Sequence, residues 1–271
     1  MSFADLTLAH WHTLDLPAAR RLADDAAARV GGRVTLAETV PGPGGPLHRV
    51  CIERGGQEFA LVPGGTVRLG FDPDAWRPTA EQAASYAESL EEGYAYEPDI
   101  RVHLAGQLSP VRRVALAAVL VAVEDEPLEG PPAEVPALLA RRGLRMPSAD
   151  EWEHACGAGA GTLFRWGDAC PLDEAPYGTG GPGCPAGPRL AANAFGLRIA
   201  YDAYGAELSA GSAAVHGGDG GEAVCGGYGS LLAWLPLATA QRNPAMAEFV
   251  HGPDGEGLWE EFSTRPVLDL R

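Results

Sequence analysis

The side chains best suited to chemistry in this sequence are five cysteines and seven histidines, and their spacing limits what they can do. Cys51, Cys156, Cys170, Cys184 and Cys225 form no C-x-x-C pair of the metal-binding kind. Cys170 and Cys184 bracket a Pro/Gly-rich loop and could pair in an oxidising compartment. The opening run MSFADLTLAHWH carries an Asp and two His, without the basic start and apolar stretch of a secretory signal. Free thiols in a cytoplasmic protein are therefore the expectation. His10 and His12 could face one side of a strand as metal ligands, but no third ligand is near them, and they read as surface residues. His103, His154 and His216 could each act as a base, yet nothing pairs one with a nucleophile. Glu151 and Glu153 are two apart on a helix and point to different faces, so they are no acid–base pair. No G-x-S-x-G, P-loop or dinucleotide glycine motif occurs.

The clearest positioning element is the stretch Gly143 to Asp168, GLRMPSADEWEHACGAGAGTLFRWGD. Ser148 and Glu151 make a capping box, and Asp150 and Glu151 put negative charge at the positive end of the helix they open. Trp152, Ala155 and Cys156 share a face that can be buried, while His154 reads as a helix-surface residue. Gly157 to Gly161 stops the helix, and Phe164 to Asp168 leaves as an aromatic exit into a turn. Trp152 and Trp166 should fix this unit into a core.

Composition bounds the partners. The net charge is −16, and all 20 basic residues are Arg. That balance, with no basic stripe, excludes binding to nucleic-acid phosphates by bulk electrostatics. The longest apolar run, Val114 to Val123, is too short to span a bilayer. A chain of 271 residues suits one large domain, or one domain with an extension.

Taken in order, Leu14 to Val30 reads as a helix capped by Asp15, with Leu22, Ala26 and Val30 on one face. Strand-like runs follow at Arg33 to Val40, His48 to Arg54 and Glu58 to Leu69, the last broken by Pro63-Gly64-Gly65. Thr79 and Gln82 make a second capping box, opening a helix to about Glu91 whose acidic face and Tyr86 look solvated. Leu108 to Val123 is a strand or a buried helix, which periodicity leaves open. Pro131 to Pro136 reads as a linker, Leu138 to Arg142 as a helical turn, and 171–188 and 211–221 as loops.

Five segments, in order, carry a resemblance. LRMPSADEWEHACGAG…FRWGD resembles the R-L-P-T-E-A-E-W-E-x-A-A-R-G-G…Y-P-W-G-D signature of the formylglycine-generating enzyme (sulfatase-modifying factor) family. Phe59 to Gly70 resembles that family's F-x-x-I-P-G-G-x-F-x-M-G, and Asn193 to Leu197 its N-x-F-G-L. Val224 to Tyr228 stands where V-x-R-G-G-S is expected, and Thr264 to Val267 where G-F-R-V closes the domain. The resemblance implies an α+β, C-type lectin-like fold with short strands, few helices and long loops. It spans residues 57–271, leaving 1–56 as an N-terminal helix-plus-strands extension.

The family's chemistry is not carried over with the scaffold. Its formylglycine-generating members hold copper(I) through two Cys in the segment after R-G-G-S, as a soft cation requires. Here Gly226 to Leu237 contains no Cys, and Cys225 alone precedes the glycine pair, so copper(I) is disfavoured. The iron site of related sulfoxide synthases needs an H-x-x-x-H-x-E triplet that this chain lacks. A calcium site like the family's would fall on Asn193 and Asp202, although the oxygens that Ca²⁺ needs are few. The expectation is a catalytically divergent binding module taking a peptide, protein or small-molecule ligand. Its groove would lie around Tyr228, Trp234, Arg242, Arg265, Cys225 and the loops 171–188 and 211–221, although Tyr228 and Trp234 could instead fill the cleft, and Arg242 and Arg265 match family positions that would buttress the core with carboxylates. An oxidative or tailoring enzyme of the same family is the alternative. The variable binding protein of a diversity-generating element ranks last, since Leu and Ala rather than Asn, Tyr and Ser dominate Leu231 to Ala240.

Overall fold

The structure is a computed structural model and describes residues 3–178, 187–211 and 214–270. In chain order the first strands are β1 (Arg33–Gly42), β2 (Gly45–Arg54), β3 (Gln57–Val62), β4 (Gly65–Leu69), β5 (Arg112–Leu116) and β6 (Val119–Ala122). They are followed by β7 (Glu126–Pro127), β8 (Glu207–Leu208), β9 (Val215–His216), β10 (Ser263–Thr264) and β11 (Val267–Asp269). The early helices are α1 (Leu8–Trp11), α2 (Leu16–Val30), α3 (Ala80–Glu91), α4 (Ile100–Gln107) and α5 (Val135–Arg141). The later ones are α6 (Ala149–Gly157), α7 (Glu222–Cys225), α8 (Ser230–Trp234) and α9 (Pro244–His251). The architecture is mixed α+β with mainly antiparallel sheets.

The main sheet has the order β1-β2-β3-β6-β11, antiparallel throughout. Its register stacks apolar side chains across the strands: Ile52 opposite Phe59, Leu61 opposite Leu120, and Leu120 opposite Leu268. β6 is buried along its whole length, as a central strand must be, which explains why its sequence shows no alternation. The run that could be strand or helix is thus two strands, β5 and β6, serving different sheets. Gly64 ends β3 because a Cβ there would lie 2.3 Å from the carbonyl oxygen of Leu116. The chain then turns into β4, which pairs with β5 alone.

Residues before 57 share this sheet through β1 and β2 and share its core through α2. The Asp15 carboxylate accepts the N–H of Ala18 at the start of α2, and Gly31 closes the helix in the left-handed region at φ 72°. Its buried residues are Ala19, Ala23, Ala26 and Ala27. The expected face of Leu22, Ala26 and Val30 is displaced: Leu22 and Val30 pack at its edge, and alanines let the helix lie close on the sheet.

Both capping boxes form, at Thr79/Gln82 and Ser148/Glu151. α3 departs from its reading as a solvated helix. Gln82, Ser85, Tyr86 and Ser89 are buried, and each polar group is paired. Gln82 Nε2 donates to Asp168 O, Ser85 Oγ accepts the N–H of Leu231, and the Tyr86 hydroxyl donates to Glu97 O. The contact face is polar but hydrogen-bonded, so hydropathy does not mark it.

α3, α4 and α8 surround a second core of Phe71, Trp76, Tyr86, Leu104, Phe164 and Trp234, distinct from the sheet core. α6 joins the two. Residues Trp152 to Gly157 are buried on every side, which corrects the placement of His154 on the helix surface. His154 is 3% exposed, and its Nε2–H donates to Pro63 O at 2.8 Å. Among the described residues no helix is long and apolar enough to cross a membrane.

Candidate functional site

Where α4, α7, α8 and the start of α9 converge, they leave a cavity of about 580 Å³. That is room for a small organic molecule or a side chain. Its floor is apolar, from Leu232, Leu235 and Pro236. One wall is aromatic: Tyr94 and Tyr228 stack with ring centroids 5.1 Å apart and planes 22° from parallel. Gly226 permits this, because a Cβ there would lie 2.3 Å from Cε1 of Tyr228. The Tyr228 hydroxyl donates to Glu222 Oε1 at 3.1 Å, fixing a carboxylate at the edge of the ring pair.

The polar side chains reach this cavity from separate elements. Asp219 is 6% exposed and accepts the N–H groups of Gly221 and Ala223, setting the loop that leads into α7. Burial raises its pKa, and the backbone donors oppose that rise. His103 comes from α4 and packs its ring against Tyr86 at 5.3 Å; burial holds its pKa below the ordinary value, so it is neutral at pH 7. Gln241 is 5% exposed, lines the wall, and its Oε1 has no hydrogen-bond partner. Among the described residues no Arg lines the cavity.

The residues expected in a groove separate in space. Tyr228 lines the cavity. Trp234 does not: it is 1% exposed and packs edge-on against Phe164 and Trp166 at 6.3 and 6.1 Å. It is core, a correction that follows from the turn of α8, which sends Leu232 and Leu235 to the cavity instead. Arg265 is fully buried, a second correction, and forks onto Glu207 through Nε (2.9 Å) and Nη2 (2.7 Å). Burial pushes the Glu207 carboxyl up, while the guanidinium and the Trp152 indole N–H act in the opposite direction. Arg242 reaches Asp150 at 2.6 Å and Glu153 at 3.1 Å, with Arg112 on the same two carboxylates. Burial raises Asp150, but the two guanidiniums outweigh it and hold the carboxyl below its usual range. Cys225 is exposed, outside the cavity lining, and lies 3.2 Å from the Tyr204 hydroxyl.

Asn193 and Asp202, the pair expected to hold calcium, are both engaged with protein. Asn193 Nδ2 donates to Ala155 O and Cys156 O, and Oδ1 accepts the N–H groups of Phe195 and Leu197. All four hydrogen bonds of that amide are made, so it ties the N-A-F-G-L turn to the end of α6. Asp202 accepts from Tyr204 N and Gly178 N. Among the described residues no cluster of three His, Cys, Asp or Glu side chains is placed to hold a metal ion.

The thiols are separated too. Cys51 and Cys156 are buried, and burial pushes them up to about 11 and about 12. Cys184, which could pair with Cys170 only in an oxidising compartment, lies outside the described residues, as do the other positions of 179–186.

Sequence reasoning missed Tyr94, His103, Asp219, Glu222 and Gln241 as members of one site. The one usable signal was the G-G-D-G-G run at 217–221, in a loop already expected at the groove with Tyr228, since an Asp side chain commonly ties down its own turn. Glu222 follows that run directly, whereas Tyr94, His103 and Gln241 come from a bend after α3, from α4 and from the link before α9. No protein-family model matches the chain, and no curated protein matches it.

Proposed function

We propose that this protein is a ligand-binding module whose site is the cavity beside Tyr228, on a divergent scaffold of the formylglycine-generating enzyme type with a C-type lectin-like fold. The observation that carries the reading is the cavity of about 580 Å³, with an apolar floor and carboxylate, amide and stacked-tyrosine groups converging on it. A site with few placed polar groups over an apolar base is the usual form of a small-ligand pocket.

The family resemblance supports the scaffold half of this proposal through the roles of the matching residues. Ser148, Glu151, Trp152, Asn193 and Arg265 all hold helix caps, turns or the buried ion pair. Positions after the glycine pair, where the family places two thiolates, hold Leu231, Leu232, Ala233 and Trp234, all buried in an apolar cluster or its edge. The chain keeps the framework residues and has exchanged those that would ligate copper. A binding role follows more directly than a redox one.

The test is ligand-observed NMR with a fragment library on the wild type and on Ala245→Trp. Ala245 is exposed on the first turn of α9 at the cavity mouth, so an indole there obstructs the opening without entering the core. The expected result is a set of fragments that bind the wild type and lose binding in the folded variant. Fragments that bind both proteins alike would contradict the assignment of the site.

A further inference from the structure

The walls of the cavity are of one electrostatic kind. Asp219 and Glu222 bring carboxylates, and Tyr94 and Tyr228 bring ring faces with negative quadrupoles. Gln241 contributes an amide whose Oε1 is an acceptor without a donor, on a side chain only 5% exposed. The oxygen is itself shut off from the cavity, and a turn of the soft terminal torsion is what brings it to a ligand. A buried, unpaired acceptor costs free energy, and a donor brought by a ligand removes that cost. Among the described residues no cation offsets these groups: no Arg lines the cavity, the chain has no Lys, and burial holds His103 below its ordinary pKa. Arg242, next in sequence to Gln241, spends its charge on Asp150 and Glu153. Below the polar rim lie Leu232, Leu235 and Pro236.

We infer that the ligand is an organic cation: a primary ammonium carried on a short apolar body. The ammonium sits among Asp219, Glu222 and Gln241, beside the Tyr94–Tyr228 pair, and the body covers Leu232 and Leu235. Three N–H donors match three acceptors from separate elements, and the tyrosine faces add a cation–π contribution. Glu222 is preset for this, since one oxygen takes the Tyr228 hydroxyl and the other is left for the ligand. An anion would meet two carboxylates and no compensating charge. This inference rests on the cavity being the ligand site.

A free amine and a lysine side chain share this chemistry, and the experiment separates them. Isothermal titration at pH 7 would compare n-hexylamine with the peptide acetyl-Ala-Lys-Ala-amide, and with 1-hexanol and hexanoate as neutral and anionic counterparts. n-Hexylamine should bind at one site, with 1-hexanol weaker by about tenfold and hexanoate showing no binding. Binding of the peptide as well would assign a lysyl source; binding of n-hexylamine alone would assign a free amine. Glu222→Gln, at an exposed position, and Asp219→Asn should each weaken n-hexylamine by about tenfold and leave 1-hexanol unchanged. If 1-hexanol binds as tightly as n-hexylamine, and Ala245→Trp abolishes both, the cavity stands and the cation is wrong. If none of the four probes binds, both the inference and the reading beneath it are overturned.

Discussion

The Trp152 indole N–H donates to Glu207 Oε2 at 2.7 Å, and the same carboxylate takes the Arg265 fork at 2.7 and 2.9 Å. Three residues from distant parts of the chain thus form one buried, hydrogen-bonded unit that joins α6 to β8 and the strand after β10. The guanidinium also donates to the carbonyl oxygens of Ala122, Val123 and Arg198, so it closes the end of β6 as well. Of the two sequence readings of Arg265, a groove residue and a core buttress paired with carboxylates, the contacts match the second.

Glu207→Gln should therefore cost more than its size suggests. It takes from the buried guanidinium its nearest counter-charge and leaves the more distant Asp125 carboxylate, at 3.6 Å, a loss of about 3 kcal/mol. Trp152→Phe keeps the ring packing and removes one hydrogen bond, a loss of about 1–3 kcal/mol. Urea denaturation of the two variants should give this order, and the reverse order would remove the ion pair from its central place.

Stability should fall as the pH drops below the ordinary histidine range. Burial lowers His216 from 6.5 to about 4, and its Nδ1–H donates to Gln241 O while Nε2 meets Ser209 Oγ. The unfolded chain takes up its proton near 6.5 and the folded one only near 4, so the unfolded state binds more protons between these values. Stability is full above 6.5 and is lost as pH falls through that window, by up to about 3 kcal/mol. His216→Phe should flatten the decline between pH 6.5 and 4 in chemical denaturation. An unchanged slope would show that His216 does not govern it.

Trp234 and Tyr228 should behave in opposite ways. Trp234→Ala empties a fully packed site against Phe164 and Trp166 and should cost about 3–5 kcal/mol. Tyr228→Ala, at the cavity wall, should cost about 1 kcal/mol and lower ligand affinity instead. Thermal unfolding and fragment binding, measured together, check both.

Thiol labelling should rank the four described cysteines by burial. Cys225 is exposed and should react with iodoacetamide in the native protein at pH 8. Cys51, Cys156 and Cys170, pushed up to about 11, 12 and 11 by burial, should react only after unfolding. Peptide mass spectrometry reads the order, and early labelling of Cys156 would contradict the packing of α6.

What the sequence disclosed depended on how local the cause was. Capping boxes, the glycine stop after α2 and the break at Gly64 each rest on a few neighbouring residues, and all form as read. Burial of polar faces could not be read, because its cause is a partner far along the chain. Tyr86, His154 and Gln82 look like surface residues until Glu97, Pro63 and Asp168 supply their hydrogen bonds. The site suffered from the same limit. Tyr228 stood out beside its glycines, whereas His103, Asp219 and Gln241 acquire meaning only when α4, α7 and α9 converge. Trp234 and Arg265 were misplaced because large aromatic and charged residues serve cores and clefts alike.

The central claim is that this cavity holds an organic cation, and a crystal structure of the protein soaked with n-hexylamine tests it most directly. The account predicts the nitrogen within hydrogen-bond distance of Asp219, Glu222 or Gln241, with the alkyl chain over Leu232 and Leu235. An amine found only elsewhere on the protein, with this cavity holding solvent alone, would contradict it.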